Sequence, residues 1–392
     1  MSDAYLISAC RTPIGKFLGA LSDLPATELG ATVVREAVRR AGVEPGDVDE
    51  VILGNVLSAG LGQAPARQAA LKAGLSPEVA ALTINKMCGS GLKAVMLAAQ
   101  AVGLGDADVV VAGGMENMTR APFLLSRARH GWKYGDQEVI DSMLRDGLWC
   151  AFEDCHMGRE AEHVARLCSI SRDDQDRFAA ESQRRAAAAE AGGAFDEEIV
   201  PLSLRTRAGE ELMRRDEGPR AETTVDKLAA LKPAFEPDGT VTAGNSSMLS
   251  DGAAAVVVTT AERAKGSKSG IKARIVAYAT AGTEPRDLFL APVDAVRKAL
   301  TKAGLSAGDI DLFEINEAFA AQMLACIRRL ELDPAKVNVH GGAIALGHPI
   351  GASGARVLTT LLYALKHRDL KRGVASLCLG GGNAVALIVE RD

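Results

Sequence analysis

Cys88 lies in the stretch INKMCGSGLKAVMLAAQA, residues 84–101, directly before Gly89, Ser90 and Gly91. Two glycines permit a tight turn and close backbone approach. Leu92, Val95, Met96 and Ala99 recur at three- and four-residue steps, which predicts a helix with one buried face from about Gly91 onward. Cys88 then stands near a helix N-terminus, where unpaired N–H groups and the dipole favour a thiolate, the nucleophilic form. A buried structural cysteine is the other reading, since free cysteines are among the most buried residue types. Three further residues bear on the choice: Asn316 in EINEAFAAQ, His348 in GGAIALGHPIGASG and Cys378 in SLCLGGGNAV. Each has an ordinary use: Asn316 can cap a helix starting at Glu317, His348 can be a satisfied core histidine, and Cys378 can pack in an apolar strand. All four stand beside a glycine or a helix start. Sites of layered α/β proteins form where such strand and helix ends converge, and the pattern favours a site.

The elements that must position these residues occur twice. VREAVRRAGVEPGDVDEVILGN (34–55) lies over VRKALTKAGLSAGDIDLFEINE (296–317) at an offset of 262. Each has an amphipathic helix ending at Ala-Gly, a Gly-Asp turn and an apolar strand. CGSGLKAV (88–95) lies over GASGARVL (351–358), and DADVVVAGG (106–114) over RGVASLCLGG (372–381). Three matched elements in one order argue for an internal duplication of an α/β unit with a mixed sheet. In this alignment Cys88 falls opposite Gly351, Gly54 opposite Asn316, and Val111 opposite Cys378. The segment from Thr119 to Gly244 fits neither copy and reads as an insertion into the first. Within it, ISRDDQDRFAAESQRRAAAAEAGG reads as an exposed helix with a glycine stop. SDGAAAVVVTT (250–260) reads as a strand rejoining the first copy.

The 392 residues imply two or three domains, and 47% hydrophobic with 24% charged residues describes a globular protein. A net charge of −5 without a long basic run makes nucleic acid and anionic membranes poor partners. MSDAYLISACRTPIG has no basic segment before an apolar core, so no signal peptide is expected, and no apolar run is expected to span a bilayer. Seven scattered cysteines without Cys-x-x-Cys fit reduced thiols in a cytosol. Cys150, Cys155 and His156 lack a fourth ligand at zinc spacing, so no metal is expected.

The motifs NKMCGSGLKAV, GGMENM, EINEAFAAQ, HGGAIALGHPIGASGAR and CLGGGNAVA resemble the thiolases, and among them the acetyl-CoA acetyltransferase (acetoacetyl-CoA thiolase) type. The resemblance runs from Arg11-Thr12-Pro13 to the C-terminus. It implies an α/β fold, duplicated in a five-layer α/β/α/β/α architecture with an inserted loop domain. Residues 1–118 and 245–270 would form the N-terminal half, 119–244 the inserted CoA-binding and oligomer-contacting loop domain, and 271–392 the C-terminal half. It also implies reversible Claisen condensation of two acetyl-CoA to acetoacetyl-CoA and CoA through an acyl-cysteine. Coenzyme A thioesters are then substrates, and no cofactor is permanently bound. Cys88 would take the acyl group as a thiolate at neutral pH, His348 would be the base that activates it or the incoming CoA thiol, and Cys378 would remove the α-proton of the second acetyl-CoA or return it in thiolysis. Asn316 would hold a water that binds one thioester oxygen with His348, while the N–H groups of Cys88 and Gly380 bind the other. His156 and Met157 would line the pantetheine passage, Ser247 would touch the pantetheine, Arg220 the nucleotide end, and Ala318 and Phe319 would wall the tunnel. Arg220 also reads as a plain surface charge, and Ser247 as a turn residue.

By the same resemblance the chain would form a cytoplasmic homotetramer, a dimer of dimers, working in fatty acid metabolism. APFLLSRARHGWKYGDQEVIDSMLRDG (121–147) would project to join the dimers, although its aromatics could instead form a local core. Three places depart from the family pattern: PRDLFLAPVDAV (285–296) lacks a Met-Gly step before its proline, Met248 stands where glycine or glutamine is more usual, and Asn383 follows the three glycines. The first two would border the acyl pocket, which leaves a degradative 3-ketoacyl-CoA thiolase of broader chain length as an alternative. A decarboxylating condensing enzyme of related fold lacks a second active cysteine, and a noncatalytic acyl-CoA carrier has no use for these four residues.

Overall fold

The computed structural model describes residues 3–206 and 209–392. Its main sheet runs in the order Leu312–Ile315, Arg372–Leu379, Asn383–Arg391, Ala273–Gly282, Ala4–Arg11, Ser250–Thr260, Val109–Asn117, Glu50–Gly54 and Ala80–Ile84, with Gly15–Lys16 added beside Ser250–Thr260. Outward from the centre, each half shows two antiparallel pairings and then a parallel one. The two halves are therefore the same sheet built twice. Among the described residues they join edge to edge at Tyr5 opposite Arg274 and Leu6 opposite Ala273.

The duplicated helices end alike. Ala26–Ala41 stops at Gly42 (φ 65°) and Ala291–Ala303 at Gly304 (φ 67°), both in the left-handed region. In each case the following N–H reaches back five residues, Val43 to Val38 and Leu305 to Leu300, closing the orphan carbonyls. A short 3₁₀ turn and a strand follow in both copies.

Strand pairing corrects one part of the alignment. Leu53 pairs with Gly113, and Ile315 with Ser376. Because Leu53 corresponds to Ile315, Gly113 corresponds to Ser376 and Cys378 to Met115, not to Val111. Matching glycine pair to glycine pair shifted that strand by four residues.

Two helices, Ser90–Leu104 and Ser353–His367, occupy the middle layer between the sheets, and outer helices cover the far faces. The central pair crosses at its first turns, glycine on glycine. A Cβ on Gly91 would stand 2.8 Å from the Ala355 nitrogen, and one on Gly354 would overlap the Leu92 nitrogen. This burial from both sides explains why Met87–Leu104 has the length and mean hydropathy (1.3) of a membrane span, contrary to expectation from the sequence. An apolar surround on both faces selects the same residues as lipid does.

Between Val109–Asn117 and Ser250–Thr260 the described residues form two long helices, Met157–Leu167 and Arg172–Ala191, a short one, Val225–Ala229, and three small hairpins. Arg172–Ala191 has a Ser171 capping box and ends at Gly192, but it is not simply exposed. It buries Gln175 and Asp176 against Thr240 and Asn245, and Ala179, Ser182, Gln183, Ala186 and Ala189 against the C-terminal half. Polar side chains with partners, such as Ser182 donating to Glu317 at 2.7 Å, hide that face from a hydrophobicity reading. In residues 121–147, Phe123 (66% exposed), Trp132 (51%) and Tyr134 (100%) form no local core.

Helix propensity alone would make Gly91→Ala stabilising by up to about 1 kcal/mol. The crossing predicts instead a loss of about 1–3 kcal/mol from overpacking, while Gly46→Ala, with open space around its Cβ, should be near neutral. Urea midpoints of both variants check this; a more stable Gly91→Ala protein would contradict the close crossing.

Candidate active site

Met87 holds φ 49°, a left-handed conformation uncommon for a long side chain, and the turn it makes presents Cys88 to the interior. Ser90 staples that turn: its Oγ accepts from the Lys86 N–H at 2.8 Å and donates to the Met87 carbonyl at 2.6 Å. The helix begins at Ser90, one residue before the expected start. Gly89 lets the other half approach, since a Cβ there would overlap the Leu379 side chain. Leu379 follows Cys378 and precedes Gly380, so this contact brings the second thiol and the Gly380 N–H to the first thiol.

A cavity of about 550 Å³ opens where these ends meet. Cys88, His348, Cys378 and Gly380 line it, and so do all six candidate CoA-binding residues, His156, Met157, Arg220, Ser247, Ala318 and Phe319. Asn316 stands behind the wall, fully buried, with Nδ2 3.4 Å from His348 Nε2. It is not a helix cap, because the helix it precedes starts at Ala320 with Phe319 at its N-cap. Arg220 is exposed, and its backbone N–H is held by Gln183 Oε1 at 2.7 Å. Among the described residues no group of three or more His, Cys, Asp or Glu is placed to hold a metal ion.

The electrostatics correct one expectation. Burial pushes the Cys88 thiol up to about 12, although the N–H groups of Cys88 and Gly380 point at the sulfur and pull the other way. Val56, Leu57, Met118 and Ile350 form the apolar surround that causes this. A helix start two residues on does not outweigh such desolvation. Burial, with the Arg356 charge, lowers His348 to about 3. Cys378 is raised by burial first and then by a charge on Cys88. The resting site is therefore neutral: two thiols and an uncharged imidazole.

Several contributing residues escaped the sequence reading. Glu116 accepts from Asn55 Nδ2 (2.7 Å) and from the N–H groups of Val56 (3.0 Å), Leu57 (3.1 Å) and Gly351 (2.9 Å), tying the start of the second central helix to the first half. No cation is among these partners, and burial raises Glu116 to about 7. Phe235 stacks on His156 at 4.7 Å, and Phe319 meets Phe235 and Phe289 edge-on at 6.1 and 5.2 Å, giving the cavity an aromatic wall. Leu288 and Phe289, from the segment lacking Met-Gly, line the cavity, as does Met248.

Two N–H groups aimed at a half-buried sulfur suit a thioester oxygen, and a thiol from each copy of a duplicated α/β unit fits an acyltransferase that uses two cysteines. Family models resolve the class further: the thiolase N-terminal domain matches residues 4–262 and the thiolase C-terminal domain residues 269–391. The chain belongs to the thiolase family. It is 55% identical over 393 residues to an acetyl-CoA acetyltransferase of Pseudomonas aeruginosa and 53% identical over 392 residues to one of Escherichia coli, covering 100% of each chain. The crystal structure of the Bacillus anthracis acetyl-CoA acetyltransferase superposes with a TM-score of 0.97 at 45% identity, covering 100% of this chain and 99% of that one.

The neutral resting site predicts that the ultraviolet thiolate band, taken as wild type minus Cys88→Ser, is absent at neutral pH and grows in only on the alkaline side. Raising a thiol's pKa extends its neutral form to higher pH. A full thiolate band at neutral pH would contradict the account.

Proposed function

We propose that this chain is an acetyl-CoA C-acetyltransferase, condensing two acetyl-CoA to acetoacetyl-CoA and CoA and catalysing the reverse thiolysis. The observation that carries this reading is the convergence of Cys88, His348 and Cys378 on one cavity with the N–H groups of Cys88 and Gly380. His348 Nε2 takes the Cys88 proton as sulfur attacks the acetyl carbonyl. The carbonyl oxygen becomes an oxyanion, accepting from the Cys88 and Gly380 N–H groups, each donor worth roughly 3 kcal/mol. The imidazolium then protonates the departing CoA sulfur, leaving acetyl-Cys88 and neutral His348.

Acetylation takes away the Cys88 sulfhydryl, whose ionisation would oppose a Cys378 thiolate. Cys378 then passes its own proton to neutral His348 and, as a thiolate, takes the α-proton of the second acetyl-CoA. The enolate carbon attacks the acetyl-Cys88 carbonyl, and Cys88 leaves as a thiolate that takes the proton back from His348. Asn316 Oδ1 is buried without a partner among the described residues. A water donating to it would help bind the enolate oxygen beside His348.

The inserted segment supplies His156, Met157 and Arg220 along the path to this centre. An exposed guanidinium at the cavity lining suits the phosphates of CoA, and the aromatic wall suits its pantetheine arm. Leu288, Phe289 and Phe319 pack in one cluster with Cys378. Such bulk beside the second thiol favours a short acyl chain over the broader thiolase reading. We place the enzyme in the cytoplasm, in fatty acid metabolism, on the strength of its seven free cysteines and its substrates. The exposed aromatics of residues 121–147 support a dimer of dimers joined through that segment.

Incubation with acetyl-CoA should add one acetyl mass to the Cys88 peptide, and labelling that persists in Cys88→Ala would sink the assignment. Cys378→Ser should still acetylate but lose α-proton exchange of acetyl-CoA by at least about a hundredfold; exchange at the wild-type rate would defeat the role of Cys378. Acetoacetyl-CoA should be cleaved faster than longer 3-oxoacyl-CoA substrates, and the opposite order would favour the broader enzyme. Light scattering should give four chain masses; a stable dimer would refute the role of residues 121–147, and a monomer both levels of assembly.

A further inference from the structure

The two central helices begin with equivalent serines, Ser90 and Ser353, and the difference between them bears on the imidazole. In the first copy the Ser90 hydroxyl donates to a carbonyl in the preceding turn and its lone pair accepts the Lys86 N–H. In the second copy Ser353 Oγ likewise donates backward, to the Pro349 carbonyl at 2.9 Å. The residue matching Lys86 is Pro349, which has no N–H to give. The lone pair of Ser353 is thereby left for another donor, and His348 Nδ1 lies 2.6 Å from it. A serine hydroxyl has one hydrogen, and a carbonyl can only accept. With that hydrogen on Pro349, the proton in the short contact belongs to Nδ1. Asn316 Nδ2, a donor, faces the other ring nitrogen at 3.4 Å, which agrees with a lone pair on Nε2.

We propose that Ser353, freed by Pro349, is a positioning residue that fixes His348 as the Nδ1–H tautomer and so reserves Nε2 as the base for Cys88. The proposal rests on the role given to His348 above. It makes the base a by-product of the duplication: a backbone staple in one copy becomes an imidazole clamp in the other. Which ring nitrogen carries the proton is set by the bond the other makes.

The test is ring ¹⁵N NMR of histidine-labelled enzyme, with the His348 signals identified by their loss in His348→Asn. The wild type should show Nδ1 protonated and Nε2 bare. Ser353→Ala should show mixed tautomers and acetylate Cys88 roughly ten- to a hundredfold more slowly in a single turnover, by analogy with the outer-shell partners of metal-bound histidines, with acetyl-CoA binding unchanged. Ser353→Thr should restore both. Pro349→Ala, which returns an N–H to the staple, should shift the tautomers in the same direction as Ser353→Ala. A wild-type ring protonated at Nε2, or Ser353→Ala labelled on Cys88 at the wild-type rate, would overturn the proposal alone. Absence of label from Cys88 in the wild type would instead overturn the reading beneath it.

Discussion

The glycine-on-glycine crossing of the two central helices is the contact on which the rest of this structure depends. With Gly91 and Gly354 in place, the first turns of both helices meet backbone to backbone. Everything that can do chemistry is attached to those turns or to the strands beside them. Cys88 ends the turn before one helix, and His348 stands five residues before Ser353 at the start of the other. Glu116 then locks Gly351 to the first half through four donors, and Gly89 admits the strand that carries Cys378. A side chain at any of these contacts would push the halves apart by an atom's width, a large displacement for groups that must exchange protons.

Close packing has an electrostatic consequence. A site assembled between the two halves is poorly solvated, and the ionisable groups that line it are driven toward their neutral forms. Cys88, Cys378 and His348 all follow that rule. The fixed N–H groups of Cys88 and Gly380 are the compensation, poor at holding a resting thiolate and well placed for a negative charge that exists only during acyl transfer. The coupling between the thiols adds order: while Cys88 can bear charge it opposes a second thiolate, and acetylation removes that opposition.

Much of this was legible in the sequence because duplication writes the same instructions twice. The Ala-Gly helix ends at Gly42 and Gly304 and the Ser-Gly starts at Ser90 and Ser353 are local signals, and the structure uses them as read. The four candidate catalytic side chains stood out as polar residues at element ends, and they converge. What was not legible depends on who faces whom. The shift of Cys378 onto Met115 follows from strand register, which glycine matching cannot supply. The direction of the Cys88 shift depends on an apolar surround drawn from distant segments. Glu116, within GGMENM, had no role in the sequence reading, and only tertiary contacts show four donors on it. The buried face of Arg172–Ala191 was hidden because polar side chains such as Ser182 hold it by hydrogen bonds, beside the small apolar contacts of Ala179, Ala186 and Ala189.

The most direct measurement of the central claim is the single-turnover rate of Cys88 acetylation in Gly354→Ala, a residue that touches no substrate. If the crossing sets the distance between thiol and imidazole, a folded Gly354→Ala protein should acetylate about a hundredfold more slowly, the cost expected of a misplacement near 1 Å. A folded variant that acetylates Cys88 at the wild-type rate would contradict the account.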